Sequence, residues 1–221
     1  MKEGCASVVV AISVALAGGP GHTQPAVNRA LPAPIKTGGP SLATVLATRH
    51  SSRQFGDRAL DDTEVGQLLW AAQGLVDGRR TAPSAGALYP LTVRIADARG
   101  SWRYVPASHA LVAESPADRR ALLATAGYGQ AALHAAPVIL VISARFAVTA
   151  KKYGQRAERF ATLEAGHAAQ NVLLEATALG LAAVPVGAFS DDAVRRALNI
   201  APDETPLYLI AIGACPGGLP C

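Results

Sequence analysis

Apolar and polar residues follow a helical period most clearly between residues 61 and 75. The apolar side chains there recur three or four positions apart, and they are Val65, Leu68, Leu69, Ala72 and Leu75. This spacing places them on one face of a helix, so it predicts a buried stripe. Asp61 or Asp62 is the expected N-cap, because a short acidic side chain accepts hydrogen bonds from the first free N–H groups of a helix.

Other segments show strand or helix patterns of their own. The run 137–144 (PVILVISA) is almost entirely apolar and rich in β-branched residues, which is typical of a strand buried on both faces. Residues 102–105 alternate, and they predict the hairpin partner of a strand at 91–96. Further strands are expected at 108–112, 183–188 and 207–214, and further helices at 42–48, 116–125, 130–135, 155–181 and 191–198.

Composition limits the function classes. The chain has 221 residues, of which 50% are hydrophobic and 16% charged, so one domain or at most two can build a substantial core. The net charge of +4 is small and scattered, and only 5% of the residues are aromatic, so we expect no nucleic-acid surface. An anionic ligand such as a phosphate is a simpler reason for a few of the arginines.

The first 17 residues have the layout of a secretory signal peptide. Lys2 precedes an apolar run from Cys5 to Ala17, and the run ends in an A-x-A pattern. This run is too short to cross a bilayer as a helix, so no stable membrane span is expected. Residues 18–40, rich in Gly, Pro and Ala, are interpreted as a linker. The sequence thus predicts export to the periplasm or outside the cell; a cytoplasmic protein is the alternative if residues 1–17 are only an N-terminal extension.

Removal of the signal peptide would leave two cysteines, Cys215 and Cys221, separated by PGGLP. A short flexible spacer allows a disulfide in an oxidising compartment, and two free thiols are equally compatible with the sequence. No CxxC pair or Cys/His spacing typical of a metal site occurs, so no metal is expected.

The stretch Arg80–Pro90, which reads RTAPSAGALYP, is the strongest candidate for ligand binding. It carries no charge after Arg80, and its small residues leave backbone N–H and C=O groups approachable. The flanking prolines limit its flexibility. Such a loop suits a flat ligand with polar edges, although an ordinary connection between a helix and a strand has the same composition.

A second candidate is the segment Arg49-His50-Ser51-Ser52-Arg53. In an extended segment Arg49, Ser51 and Arg53 share one side, because side chains alternate with a period of two. Two guanidinium groups and a hydroxyl form a set of donors that fits a phosphate. A solvated polar loop ahead of the next helix is the alternative.

Three stretches in this order resemble the flavin-dependent nitroreductases: Arg49–Arg53, Pro83–Pro90 (PSAGALYP) and Gly180–Phe189 (GLAAVPVGAF). The octapeptide resembles the SagB/ThcOx-type (thiazole/oxazole) dehydrogenase branch in particular, and Glu164–Asn171 (EAGHAAQN) is similar to the central helix of that branch. The resemblance implies an α+β fold, with a mostly antiparallel central sheet surrounded by helices. It also implies a homodimer with FMN at the interface, and we assign residues 41–221 to one nitroreductase-like FMN-binding domain.

The resemblance implies roles at the matching positions. Arg49 and Ser51 would hold the FMN phosphate, and Arg53 would reach the pyrimidine side of the ring or the ribityl chain. The backbone of Ser84–Leu88 would come from the partner subunit and lie against the flavin, while the backbone of Val186–Ala188 would face N5 and O4. The cofactor-binding residues implied in this way are Arg49, His50, Ser51, Arg53, Pro83, Ser84, Ala85, Gly86, Leu88, Pro185, Val186, Gly187 and Ala188.

Lys152 and Tyr153 are the predicted catalytic pair. The azoline-oxidising members of this branch carry a Lys-Tyr pair just before the long helix, where this chain reads AKKYGQRAERF. A lysine with a lowered pKa, or a tyrosine held beside it, could remove a proton while hydride leaves to flavin N5. A surface lysine beside a packed tyrosine is the alternative. Glu164-x-x-His167 lacks the second pair that a two-metal bundle needs, so His167 is expected to be a buried or flavin-side helix residue.

The predicted function is FMN-dependent hydride transfer between flavin N5 and a small organic substrate or modified peptide. Two alternatives stay open. One is a reductase of nitro or quinone compounds that uses NAD(P)H, and the other is a non-catalytic exported module that keeps the fold. No motif identifies the substrate or the physiological electron acceptor.

Overall fold

A computed structural model describes residue 1 and residues 28–218. A seven-stranded sheet lies at its centre, built from β1 (Asn28–Ala30), β4 (Leu91–Asp97), β5 (Gly100–Val105), β6 (Ala110–Ser115), β7 (Val138–Ala144), β8 (Leu181–Val186) and β9 (Thr205–Ala214). The strand order is β1-β6-β5-β4-β7-β9-β8, and each neighbouring pair is antiparallel. A separate hairpin consists of β2 (Leu75–Val76) and β3 (Arg79–Arg80).

The described part of the chain forms seven α-helices around this sheet: α1 (Leu42–Thr48), α2 (Asp62–Gln73), α3 (Arg120–Ala126), α4 (Ala131–Ala135), α5 (Phe146–Tyr153), α6 (Ala157–Ala178) and α7 (Asp191–Leu198). Apolar residues of α2 and α6 share one core with one face of the sheet. Those of α3, α4 and α7 form a second core on the opposite face. The predicted α+β fold with a large antiparallel sheet is thereby confirmed.

The central strand β7 shows why the sequence specifies two cores. All seven of its residues are buried. Leu140 and Ile142 belong to the core with α2 and α6, whereas Ile139 and Val141 belong to the other. Successive side chains of a strand point to opposite faces, so a continuous apolar run can pack on both.

The predicted start of α2 is confirmed, and its predicted end is wrong. Asp61 Oδ1 accepts hydrogen bonds from Thr63 N and Glu64 N, each at 2.9 Å, and Asp61 N donates to the Glu64 carboxylate at 2.9 Å. This capping box fixes Asp61 as the N-cap. The helix ends at Gln73, and Leu75 lies in β2 with 43% of its surface exposed, so it does not continue the buried stripe.

A buried ion pair ties strand β4 to the turn before β9. The guanidinium of Arg94 bonds the carboxylate of Glu204, which also accepts a hydrogen bond from the Ser143 hydroxyl. Arg94 Nε donates to Glu114 at 2.8 Å. Each charge in this cluster therefore has a partner inside the fold.

The predicted linker 18–40 includes one strand in the structure. Residues 28–30 form β1 at the edge of the sheet, paired with β6. The Arg29 guanidinium bonds both Asp62 and Asp97, and the Gln67 side chain bonds the backbone N–H and C=O of Ile35 at 2.9 Å. These long-range bonds, rather than a local sequence pattern, fix the segment.

The long helix is shorter than the predicted 155–181. Residues 146–153 form a separate helix, α5, which ends where Gly154 takes a left-handed conformation (φ +52°). Helix α6 follows from Ala157 to Ala178, and β8 begins at Leu181, two residues earlier than predicted.

The predictions about the two ends of the chain concern residues that lie mostly outside the part that the structure describes. The predicted signal peptide lies outside the described residues apart from Met1, and Cys221 lies outside them as well. Cys215 is disulfide-bonded, and its sulfur lies 3.1 Å from the Gly180 carbonyl oxygen. No helix in the described residues is long and apolar enough to cross a membrane.

Candidate functional site

The PSAGALYP loop folds into a tight turn with unusual backbone geometry. Ala85–Ala87 form one 3-10 turn, and the left-handed region is occupied by Gly86 (φ +60°), Ala87 (φ +54°) and Tyr89 (φ +50°). The Ser84 hydroxyl oxygen accepts a hydrogen bond from Tyr89 N at 2.9 Å and closes the turn. Non-glycine residues adopt this conformation at a cost of about 1 to 3 kcal/mol, and such strain is concentrated at functional sites.

The predicted catalytic pair lies against this loop. A Cβ added at Gly86 would lie 2.9 Å from the Tyr153 hydroxyl oxygen and 3.0 Å from Lys152 Nζ. A Cβ here would require the ends of these two side chains to shift, and the positive φ of Gly86 independently favours glycine. The structure therefore brings Lys152, Tyr153 and the centre of the octapeptide together within one chain.

The end of α5 positions the pair. The Tyr153 ring packs edge-on against Phe160 of α6, with 5.0 Å between the ring centroids. Lys152 Nζ lies 5.5 Å from the centroid of the Tyr153 ring. Among the described residues neither Lys152 Nζ nor the Tyr153 hydroxyl has a hydrogen-bond partner, so both groups are available to a ligand.

The segment Arg49–Arg53 lies at the outer edge of strand β8. Arg49 N bonds the Val45 carbonyl at the end of α1, and Ser52 N bonds the Ala183 carbonyl of β8 at 3.1 Å. In the part of the chain that the structure describes, no carboxylate pairs with the guanidinium of Arg49 or Arg53. His50 Nδ1 instead lies 3.0 Å from the Thr48 carbonyl oxygen, so one of its ring nitrogens is used locally.

The predicted residues at the end of β8 divide into two kinds. Pro185 and Val186 belong to the strand and pair with β9. Gly187 and Ala188 follow it and are exposed. The Ala188 carbonyl accepts a hydrogen bond from Gln130 Nε2 at 3.0 Å, which fixes the backbone after the strand.

The predicted residues thus form two groups in the protomer. One group is the loop Pro83–Pro90 with Lys152 and Tyr153, and the other is Arg49–Arg53 with strand β8. No hydrogen bond or ion pair between described residues joins the two groups.

Sequence reasoning missed the importance of Glu164 beneath the loop. It considered this residue only as part of Glu164-x-x-His167, whereas His167 is exposed and Glu164 is 2% exposed. Burial raises the pKa of Glu164 to about 7, although the nearby Ser84, Gln73 and Arg80 act in the opposite direction. Its position three residues after the buried Ala161 was the signal that could have placed it on the inner side of α6.

The antiparallel sheet with helices on both faces is shared with solved structures of the nitroreductase fold. The family model described as the nitroreductase family matches residues 46–214, and the chain belongs to that family. It is an enzyme family whose members typically depend on a flavin.

Two relatives and one more distant structure are informative. A candidate nitroreductase of Methanocaldococcus jannaschii is 39% identical over 180 residues, which cover 78% of this chain and 90% of that protein. The crystal structure of a candidate nitroreductase from Ralstonia eutropha has a TM-score of 0.78 and 31% identity, and the match covers 85% of this chain and 89% of that chain. A chain from the E. coli microcin synthetase McbBCD complex with truncated pro-MccB17 bound shares the fold, with a TM-score of 0.66 and 24% identity over 82% and 75% of the two chains.

Proposed function

We propose that this protein is a homodimeric FMN-dependent oxidoreductase whose site is of the SagB/ThcOx type. The observation that carries the proposal is the close approach of Lys152 and Tyr153 to Gly86, because it joins the candidate base to the loop expected to lie against the flavin. Bound FMN would accept or donate a hydride at N5. The residues of the chain bind the cofactor, position the substrate and move the proton.

The arginine segment suits the phosphate end of FMN. Arg49 and Arg53 have no carboxylate partner among the described residues, so their charge is free for an anion. A guanidinium binds phosphate oxygens with two parallel hydrogen bonds, and the Ser51 hydroxyl can add a third donor. The residues present therefore fit the group that the family implies.

The octapeptide loop suits the flat ring of the cofactor. Gly86 and Ala87 are exposed, and the absence of a Cβ at Gly86 leaves backbone accessible. Because no hydrogen bond or ion pair between described residues joins the loop to the arginine segment, we infer that each site combines the loop of one subunit with the arginines of the other. Helix α6 offers a surface for such a dimer, since Leu163 is 52% exposed and Gly166, one turn further, is exposed as well.

Lys152 and Tyr153 are suited to remove the substrate proton. Both polar groups meet at Gly86, and neither is used by another described residue. A proton taken by one of them as hydride leaves the substrate would complete a two-electron oxidation. General-base catalysis of this kind typically contributes about 10²- to 10⁴-fold to the rate.

Two substrate classes are distinguished by different observations. The octapeptide and the Lys-Tyr pair favour oxidation of a heterocycle in a small molecule or modified peptide. The names of the M. jannaschii and R. eutropha relatives, both candidate nitroreductases, favour reduction of nitro compounds. Steady-state oxidation of NAD(P)H with a quinone, measured beside oxidation of an azoline-containing peptide, separates the two.

The cofactor proposal is tested on purified protein. We expect yellow protein that releases about one FMN per chain on denaturation, as the family's use of flavin implies. Apoprotein should take up added FMN and quench its fluorescence. A colourless protein that does not bind added FMN would contradict the proposal.

We also propose that the protein is exported and processed after Ala17. The apolar run before that residue and the disulfide at Cys215 support this, since disulfides persist in oxidising compartments. N-terminal sequencing of the mature protein should begin at Gly18. A mature chain that retains Met1 or Lys2 would contradict export by this signal.

A further inference from the structure

A cavity of about 500 Å³ lies where strands β4 and β5 stop pairing with each other. The pairing runs from Asp97–Gly100 to Arg94–Arg103 and ends there. Beyond that pair, residues 91–93 on the β4 side and residues 104–106 on the β5 side both line the cavity. Sites for small molecules have volumes of about 300 to 1,000 Å³, so this cavity has room for an organic ligand and not only for a single ion.

Charged side chains alternate in sign within the lining of this cavity. Arg94 Nε donates to Glu114 at 2.8 Å, and the Arg94 guanidinium also bonds Glu204. At the two ends, Arg103 Nε lies 3.4 Å from the Glu114 carboxylate and Arg145 Nη2 lies 3.4 Å from the Glu204 carboxylate. All five residues line the cavity. They form a row of charges that ends in a positive group on both sides.

The two terminal arginines keep donors available. The side chains of Arg103 and Arg145 are 41% and 47% exposed, whereas that of Arg94 is 6% exposed. Each contacts a carboxylate that Arg94 already holds, and Arg145 Nε also lies 3.5 Å from Asp203, which is 65% exposed and outside the lining. Such exposed pairs contribute little, and a guanidinium has five N–H donors, so both arginines can bind a further anion.

Arg80 adds another positive charge to the lining. Its guanidinium donates to the Gln73 carbonyl at 3.2 Å and lies 5.6 Å from the centroid of the Tyr89 ring. In the part of the chain that the structure describes, no carboxylate forms an ion pair with it. The lining thus contains four arginines and two glutamates. Positive charge remains in excess even when Asp203 is counted.

The rest of the lining suits the body of an organic molecule. Its apolar members are Leu91, Val93, Val105 and Pro106. The lining also includes Thr92 and Asn199, whose side chains have no hydrogen-bond partner among the described residues. An inorganic anion would use only the arginines, whereas an organic anion would use the charged and the apolar parts together.

The cavity is separate from the site proposed for the flavin. None of the residues implied for FMN binding or for proton removal lines it. Helix α5 begins directly after Arg145 and ends at Tyr153, so at a rise of 1.5 Å per residue the two backbones are about 12 Å apart. A ligand in the cavity would therefore not occupy the position of the catalytic pair.

We propose that this cavity is a second ligand site, which binds a small organic anion. The exposed guanidinium groups of Arg103 and Arg145 bond its carboxylate or phosphate group, Arg80 adds positive charge, and its apolar body lies against the ends of β4 and β5. Arginine suits this role because its paired N–H groups match the oxygens of both acids. The inference does not rest on the function proposed above.

The test is an NMR titration of the purified protein with benzoate, phenyl phosphate and benzamide, followed at the backbone amides of Val93 and Val105. Benzamide has the shape of benzoate without its charge. We expect saturable shifts with at least one of the two anions and binding at least about tenfold weaker for benzamide, because a hydrogen bond between charged groups is lost. The tighter of the two anions identifies the acidic group of the ligand.

Variants locate the binding site. Arg103→Gln and Arg145→Gln should each weaken binding of the tighter anion about tenfold. Arg58→Gln, which removes the same charge outside the cavity, and Arg49→Gln, which changes the proposed FMN segment, should leave it unchanged. If a glutamine variant does not fold, the lysine variant at that position keeps the charge but loses the paired donors, and it should bind more weakly than the wild type.

Several results would overturn the inference. They are the absence of saturable shifts at Val93 and Val105 with both anions, equal binding of benzamide, wild-type affinity in folded Arg103 and Arg145 variants, and equal weakening by Arg58→Gln. Loss of anion binding in Arg49→Gln alone would assign the anion to the proposed FMN segment and would also overturn it. Failure of the protein to bind FMN would contradict only the proposed function, since the titration does not require the cofactor.

Discussion

Glu204 and Glu164 are equally buried, and the fold treats them in opposite ways. Burial alone would raise the pKa of Glu204, but hydrogen bonds from Arg94 and Ser143 and the charges of Arg94 and Arg145 outweigh it and hold the pKa below its ordinary value. Glu164 has no comparable partners, and burial raises its pKa to about 7. The Glu204 carboxylate has hydrogen-bond partners within the fold, whereas Oε1 of the buried Glu164 carboxyl has none.

The same contrast separates the two regions around these residues. In the sheet, Arg94 is bonded to two carboxylates and one hydroxyl. Around the candidate site, the side chains of Lys152, Arg49 and Arg53 have no hydrogen-bond or ion-pair partner among the described residues. Polar groups that folding leaves unpaired are the ones available to a ligand, so this contrast is a physical indicator of function.

The largest expected effect is on turnover. Lys152→Ala or Tyr153→Phe should lower the rate of substrate oxidation by about 10²- to 10⁴-fold, whichever of them is the base, because a positioned general base contributes that much. FMN affinity should stay nearly unchanged in both variants. Lys151→Ala, at the exposed neighbouring position of α5, is the control. Full turnover in both variants would show that the unpaired groups are not catalytic.

A second large effect is expected on stability. Glu204→Ala should lower the free energy of unfolding by about 3 to 5 kcal/mol, because it leaves Arg94 buried without its main partner. Urea unfolding at fixed protein concentration measures the change. The double variant Arg94→Met/Glu204→Met removes both charges and should lose less. Equal losses in the single and double variants would contradict the view that pairing, rather than packing, matters at this position.

Cofactor affinity should respond to the unpaired arginines. Arg53→Gln or Arg49→Gln should weaken FMN binding by about 10- to 100-fold, since a charge-assisted hydrogen bond contributes about 1.5 to 3 kcal/mol. The stability of the apoprotein should hardly change, because no described partner is lost. Arg58→Gln removes an exposed arginine that is paired with Glu64, and the FMN dissociation constant should stay unchanged in this control. If Arg58→Gln weakens FMN binding as much as Arg49→Gln and Arg53→Gln do, the loss reflects the change in net charge and not a direct contact with the phosphate.

Per pH unit, the smallest effect is the pH dependence of stability, and its sign differs between the two glutamates. The folded pKa of Glu164 lies above its ordinary value of 4.5, so the folded state binds the extra proton and stability falls as pH rises from about 4.5 to 7, by at most about 1.4 kcal/mol per unit. The folded pKa of Glu204 is lowered, so its contribution is lost as pH falls below 4.5. Urea titrations of the wild type and Glu164→Gln at several pH values should differ in slope only in the first range; identical slopes would refute the assignment.

The elements that the sequence predicted best are those specified by local patterns. The apolar run at 137–144 became β7, and the Ser41 and Ser190 caps began α1 and α7 at the expected residues. The motif residues of the site were also found, because the octapeptide and the Lys-Tyr pair are recognisable without coordinates. Their approach to each other at Gly86 was not among the predictions and is seen only in the structure.

The features that were missed depend on contacts between distant parts of the chain. Nothing in the local sequence EAGH shows that α2 and the octapeptide loop enclose Glu164. Similarly, β1 lies in a stretch rich in Gly and Pro, and Arg29 holds it through Asp62 and Asp97, 33 and 68 positions away. Burial and long-range pairing of this kind follow from the tertiary fold and cannot be obtained from periodicity.

The bond between Ser52 and Ala183 has a consequence for self-association. Strand β8 is the last strand of the sheet, and an open edge of this kind is a template for pairing with another chain. The segment Arg49–Arg53 covers part of this edge. Further along the chain, Gly56 N donates a hydrogen bond to the Ala214 carbonyl of β9. A ligand bound to the arginines would therefore also hold in place the segment that covers the open edge. Loss of that ligand would lower the solubility of the protein as well as its activity.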